Sequence, residues 1–230
     1  MTFRNHETKP AAGFTLFEIL IAIFIFGVVV ATVFGSYGAV FSTAQVVEGG
    51  IKRIEMASTC LNRIETDLAS LYVLQKPGYS RPGFDSPPDP YRVFGETVGV
   101  ADGTFGRLRF TSQAHVAFGG DSRAGIAQIV YYVYQNRNGD LLLKRSDTLP
   151  PYAEVEENAA DPTLCEQVKT LEFSFLDEKG DEHDAWNSES KDNGNATPRA
   201  IKIKLETGDD SVSIFLETMV GLPTFRDALD

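Results

Sequence analysis

From residue 19 to residue 47 the chain carries no charged side chain, a run of 29 residues bounded by Glu18 and Glu48. Its first sixteen residues, 19–34, are almost wholly Ile, Val, Phe, Leu and Ala. A helix rises about 1.5 Å per residue, so about 20 apolar residues cross a hydrocarbon core of ~30 Å. The run is long enough to span a bilayer, and no soluble fold exposes such a segment without covering it. An ordinary secretory signal fits poorly. The apolar stretch exceeds the usual h-region of about 7–15 residues, and Val40-Phe41-Ser42 and its neighbours are too bulky for a cleavage site. Glu18 sits at the very edge of the span. A charged group at the centre of a membrane helix costs roughly 2.5–3.5 kcal/mol on insertion scales. Glu18 therefore either reaches headgroup water or meets a cationic partner.

The remaining composition bounds the function. Thirty-two acidic against 21 basic residues give a net charge of −11, and no basic stripe is present to displace counterions from nucleic-acid phosphates. Two Cys exclude a disulfide-rich scaffold and a four-cysteine zinc site, while His6, His115 and His183 lie too far apart in the chain to suggest a histidine metal centre.

Beyond Gly49-Gly50, apolar residues at Ile51, Ile54, Leu61, Ile64, Leu68, Leu71 and Tyr72 trace one helix face. Lys52, Arg53, Glu55, Asn62, Arg63, Glu65 and Asp67 form the opposite, wet face. The pattern predicts one long helix from about Phe14 to about Leu74, apolar all round and then amphipathic. A kink or short break is expected at Gly49-Gly50, and Lys76-Pro77-Gly78 ends the helix. Residues 77–92, with five Pro and two Gly, form a loop. Strand signals follow at 107–111, 128–135, 141–145, 168–176, 200–207 and 212–219, with turns at 136–139, 177–180 and 208–210. A long helix followed by at least five antiparallel strands is an α+β architecture.

Gly13-Phe14-Thr15-Leu16-Phe17-Glu18, followed by Ile19-Leu20-Ile21-Ala22, closely resembles the class III signal of type IV pilins and type II secretion pseudopilins. The resemblance implies that a prepilin peptidase cuts between Gly13 and Phe14 and that the new N-terminal Phe14 is methylated. Residues 1–13 would be a cytoplasmic leader, held inside by Arg4 and Lys9. Residues 14–47 would be the transmembrane and filament-core helix, and residues 48–230 a periplasmic domain. It also implies that Glu18 pairs with the N-terminal ammonium of a neighbouring subunit during assembly, which gives a carboxylate in low dielectric the cation it needs. Weaker matches along the chain, at 63–68, 130–133, 142–145, 168–175 with Trp186 beyond, and 198–205, resemble the minor pseudopilin J of type II secretion. That family implies a pilin-like fold with the helix packed on antiparallel sheet, and no enzymatic activity or cofactor. It implies a place in the tip complex that primes the pseudopilus for export of folded proteins. Partners would be the minor pseudopilins I and K, the major pseudopilin, the prepilin peptidase and the inner-membrane assembly platform. Two alternatives are a minor type IV pilin and a membrane-anchored periplasmic enzyme or binding domain.

Three further features bear on function. Gly119-Gly120-Asp121-Ser122 resembles a hydrolase nucleophile loop, but neither His115 nor His183 sits in the Asp-x-x-His pairing that such a site needs. Residues 177–195 form an acidic insert that departs from the J pattern. Its oxygen ligands suit Ca²⁺, yet no EF-hand spacing is present, and an acidic run is usually a solvated face. Cys60 on the helix and Cys165 before a strand could form a disulfide in an oxidising compartment, or remain two small buried thiols.

Overall fold

The computed structural model describes residues 15–81, 83, 87–116, 123–152, 157–209 and 212–229, with side chains described for all of these except 37–49. Contacts divide the chain into two units, Met1–Gly49 and Gly50–Asp230.

Helix α1 spans Leu16–Ala69. Gly49 and Gly50 both carry helical backbone, so the break expected there is absent. In the first unit the described helix is apolar and bare. Leu16–Ser36 has a mean hydropathy of 2.8 and none of it is buried; Leu16, Phe17, Phe24, Phe26 and Phe34 are all exposed.

In the second unit the helix becomes one-sided. Ala57, Cys60, Leu61, Ile64 and Leu68 are buried, at steps of three and four that place them on one face. The apolar face begins later than the periodicity suggested, since Ile51 and Ile54 are about half exposed. The helix also ends earlier, at Ala69 rather than near Leu74. The Ser112 hydroxyl donates to the Asp67 carbonyl at 2.7 Å and the Gln113 N–H to the Ser70 carbonyl at 2.9 Å, satisfying acceptors that a helix end leaves open. Leu71 then forms a bridge with Ser112, and the Tyr72 N–H donates to the Thr111 carbonyl at 2.8 Å. Residues 71–74 are thus drawn into extended backbone beside the sheet.

The strands are β1 (Phe94–Val100), β2 (Gly103–Ser112), β3 (Ala127–Gln135), β4 (Leu141–Thr148), β5 (Thr163–Cys165), β6 (Val168–Leu176), β7 (Glu182–His183), β8 (Trp186–Asn187), β9 (Ala200–Gly208) and β10 (Ser213–Gly221). They form two antiparallel sheets, ordered β5-β4-β3-β2-β1-β8 and β10-β9-β6-β7. The arrangement is α+β, a helix with antiparallel sheets, as the pattern predicted. Strand β3 is buried on both faces over its first seven residues. One set of its side chains, Ile129, Tyr131 and Val133, joins the core with Leu61, Ile64 and Leu68. The two sheets approach closely where β2 meets β6. A Cβ at Gly106 would lie 2.7 Å from the Phe173 ring and 3.2 Å from the Leu171 carbonyl oxygen, and one at Gly95, on the neighbouring β1, would overlap the Phe175 ring. These two positions accept only glycine because another backbone or ring occupies the space.

Candidate functional site

Thr15 and Glu18 form a reciprocal cap at the start of α1. The Thr15 N–H and hydroxyl donate to Glu18 Oε2 at 2.9 and 3.0 Å, and the Glu18 N–H donates to Thr15 Oγ1 at 3.3 Å. This is the capping box, Thr-x-x-Glu, in which two helix-end donors are satisfied at once. The carboxylate is therefore held at the edge of the apolar segment by its own chain. Gly13 and Phe14, the residues of the expected cleavage and methylation, lie outside the described residues, as does the leader.

A second cluster joins helix to sheet. Asp67, which the helical pattern assigned to the wet face, is completely buried. Its Oδ2 accepts from the Tyr131 hydroxyl at 2.6 Å and from Arg145 Nε at 2.7 Å, and its Oδ1 accepts from Arg63. Arg145, 2% exposed, donates onward to Asp147 at 2.6 Å and to the Ala114 carbonyl at 3.2 Å. Asp147 also meets His115 Nδ1 at 2.6 Å and accepts the Val116 N–H at 2.9 Å. Burial works against the Arg145 charge, but the hydrogen bonds and fields of Asp67 and Asp147 outweigh it and hold its pKa above the ordinary value. Burial, then the charge of Asp67, pushes the Tyr131 phenol upward, so it stays a donor. Every oxygen of Asp67 is thus occupied by protein donors, and the cluster fastens the helix rather than offering a reactive group.

A disulfide fastens the same helix about two turns earlier. Cys60 and Cys165 are bonded, with their Cα atoms 6.3 Å apart. Of the two readings open for these residues, the bonded one holds in the structure.

The acidic side chains of the insert, Glu178, Asp181, Glu182, Asp184 and Asp192, are exposed, as an acidic run usually is, but the segment that carries them is built into the fold. Its backbone supplies β7 to one sheet and β8 to the other, and Trp186, Ser188 and Asn195 are buried. The Trp186 ring lies 6.3 Å from that of Phe175, and its Nε1–H donates to the Ala196 carbonyl at 3.0 Å. The carboxylates are directed to separate donors. Asp177 accepts the N–H groups of Asp181 (2.9 Å) and Lys179 (2.8 Å), which hold its pKa below the ordinary value. Glu182 pairs with Lys202 at 2.7 Å, and Glu189 accepts the Asp89 N–H at 2.7 Å. Among the described residues no three Asp, Glu, His or Cys side chains gather in a metal-binding group. Arg226 locks the insert to the C-terminal segment: it donates to the carbonyls of Asn195 (2.8 Å) and Ser188 (2.8 Å) and lies 3.4 Å from the Tyr79 ring centre. The loop carrying Asp121 and Ser122 lies outside the described residues.

A capped apolar helix leading into an α+β domain defines a pilin-like subunit, and residues 8–34 match the prokaryotic N-terminal methylation motif. The match extends well past that signal. Residues 35–214, most of the chain, match the family model of type II secretion system protein J, and the chain belongs to that family. No curated protein matches it. The protein is therefore a pseudopilin, and its family is a structural component of the secretion machinery. Membership implies contact with other pseudopilins and anchoring by the N-terminal helix.

Proposed function

We propose that this chain is a minor pseudopilin of the pseudopilus tip. On this reading a prepilin peptidase removes residues 1–13, Phe14 becomes the methylated N-terminus, and residues 14–47 anchor the subunit in the inner membrane until it enters the filament. Residues 48–230 face the periplasm and meet the minor pseudopilins I and K, priming the growth of the major pseudopilin into a filament that exports folded proteins. The inner-membrane assembly platform supplies the site of extraction. Glu18 neutralises the Phe14 ammonium of a neighbour, and no reaction is catalysed.

The observation that carries this reading is the tandem match of a methylation motif and the protein J family on one chain, with an acidic side chain at the head of the segment Leu16–Ser36, which is otherwise apolar and bare. The self-cap through Thr15 supplies Glu18 with neutral donors before assembly, and an incoming ammonium would replace them with a charged one.

Mass spectrometry of the protein from cells with active prepilin peptidase tests the reading. The expected N-terminus is Phe14 carrying one methyl group, and Glu18→Val should leave cleavage intact while reducing co-purification of the other minor pseudopilins. A chain that still begins at Met1 in such cells, or undiminished co-purification of Glu18→Val, would refute the corresponding part.

A further inference from the structure

Strand β10 is an outer strand of its sheet, bonded to β9 along nine consecutive pairs with no shift of register. Among the described residues nothing pairs with its other edge. Alternate residues of an edge strand turn their N–H and C=O groups outward, a template that only another extended backbone matches at every position. Edge strands are commonly protected by Pro, Lys or a bulge; β10 has none of these, and its one charged residue is Glu217. The strand is also held firmly. The Arg53 guanidinium donates to the carbonyl of Val212, just before β10, at 3.3 Å, and the Thr218 hydroxyl within β10 donates to Glu65 at 2.7 Å, so the strand is tied to the helix at two points.

The side chains on its solvent face specify what could pair there. Phe215 and Met219 are 55% and 53% exposed, with Glu217 between them. Glu217 stands at the end of a charge row that crosses three strands in register: Glu172 on β6 faces Lys204 on β9, and Lys204 faces Glu217 on β10. Lys204 Nζ lies 3.2 Å from the Glu172 carboxylate. The row reads minus, plus, minus and stops at the open edge. A fourth strand would complete it with a basic residue, since opposite charges facing each other across strands stabilise a pair and like charges oppose it.

A second copy of this chain is a poor occupant. In a two-fold antiparallel pair, the register that sets Phe215 against the other Met219 also sets Glu217 against Glu217. A shift of two residues faces the carboxylate with an apolar side chain instead. The net charge of −11 adds a long-range repulsion between copies.

We propose that β10 is a docking edge for an extended segment of another pseudopilin, one with the pattern apolar–x–basic–x–apolar set against Met219, Glu217 and Phe215. This rests on the pseudopilin reading above and names the surface through which one partner is bound. Main-chain hydrogen bonds would supply affinity, and the alternate side chains would supply the choice of partner.

The test mixes the full-length chain, purified in detergent micelles, with each of the other pseudopilins of its own secretion system and follows amide exchange over residues 213–221. One partner should slow the exchange of outward-facing β10 amides at least tenfold. Glu217→Lys should weaken that partner at least tenfold, and a basic-to-acidic substitution in the partner's protected segment should restore binding to Glu217→Lys. Phe215→Thr, which keeps strand propensity, should weaken the same partner without changing thermal unfolding. A partner that binds equally well to Glu217→Lys, with exchange of β10 unaltered, would overturn the docking edge and leave the pseudopilin reading intact. Self-association through β10 would overturn it in favour of a second copy. Failure to bind any pseudopilin would overturn both.

Discussion

Removing the Asp67 carboxylate, as in Asp67→Ala, should be among the most damaging single changes outside the apolar core. The wild-type side chain is fully buried and accepts from three groups at once: the Tyr131 hydroxyl at 2.6 Å, Arg145 Nε at 2.7 Å, and Arg63. Without it, Arg145 keeps Asp147 but loses half of its anionic surroundings while remaining 2% exposed. Breaking a buried ion pair from one side costs about 3–5 kcal/mol, because the surviving charge stays desolvated. The orphaned Tyr131 hydroxyl adds a penalty of about 1–3 kcal/mol that overlaps with the first. At roughly 2–4 °C per kcal/mol for a domain of this size, the melting temperature should fall by about 6–20 °C. Near-ultraviolet circular dichroism of the full chain in micelles reports this unfolding through Trp186 and the tyrosines. Two further variants apportion the loss. Tyr131→Phe should cost only about 1 kcal/mol, because Asp67 keeps two charged donors. Asp67→Ala combined with Arg145→Met should be less damaging than Asp67→Ala alone, since the buried guanidinium goes with its partner, the part-exposed Arg63 keeps the Ala114 carbonyl, and Asp147 keeps His115 and the Val116 N–H. A loss below about 1 kcal/mol for Asp67→Ala, or a double variant worse than the single, would refute the account of the cluster as a fastening between helix and sheet.

The disulfide and the acidic turn yield two more expectations. Cys60 and Cys165 are separated by 105 residues, a long loop whose closure restricts the unfolded chain by about 4–5 kcal/mol in the entropy model; reduction, or Cys60→Ser with Cys165→Ser, should lower the midpoint of urea unfolding, and an unchanged midpoint would contradict it. For Asp177 the pKa lies below the ordinary value of 3.8, chiefly because the Asp181 N–H donates to the carboxylate; its contribution to the turn is fully present above pH 3.8 and is lost as the pH falls through the lower folded value. Amide exchange at Lys179 and Asp181 should therefore accelerate on acidification below that range, and Asp177→Asn should reduce the acceleration.

The uncharged run after Glu18 announces a membrane-length helix because hydropathy and rise per residue are local properties. Thr15 and Glu18 are three residues apart, so their cap is equally legible. The alternating stretches at 168–176 and 200–207 appear as β6 and β9 because a half-buried strand imposes a period of two on its own residues, and 128–135 appears as β3 through its β-branched and aromatic residues. Strand β1 was missed, since its glycines Gly95 and Gly99 lower strand propensity; Gly95 is required by the Phe175 ring, which arrives from the other sheet. Asp67 shows the same limit from the opposite side. By its charge it belongs with Arg63 and Glu65, yet it stands seven residues from Cys60 and three from Ile64, at the edge of the buried face, and Tyr131 and Arg145, from strands 64 and 78 residues away, join Arg63 in making its burial tolerable. The division of the insert between two sheets and the partnership of Cys60 with Cys165 are likewise settled across long stretches of chain. Spacing along the sequence fixes periodicity and caps, whereas the pairing of buried charges and thiols depends on which distant strands the packed core brings against the helix.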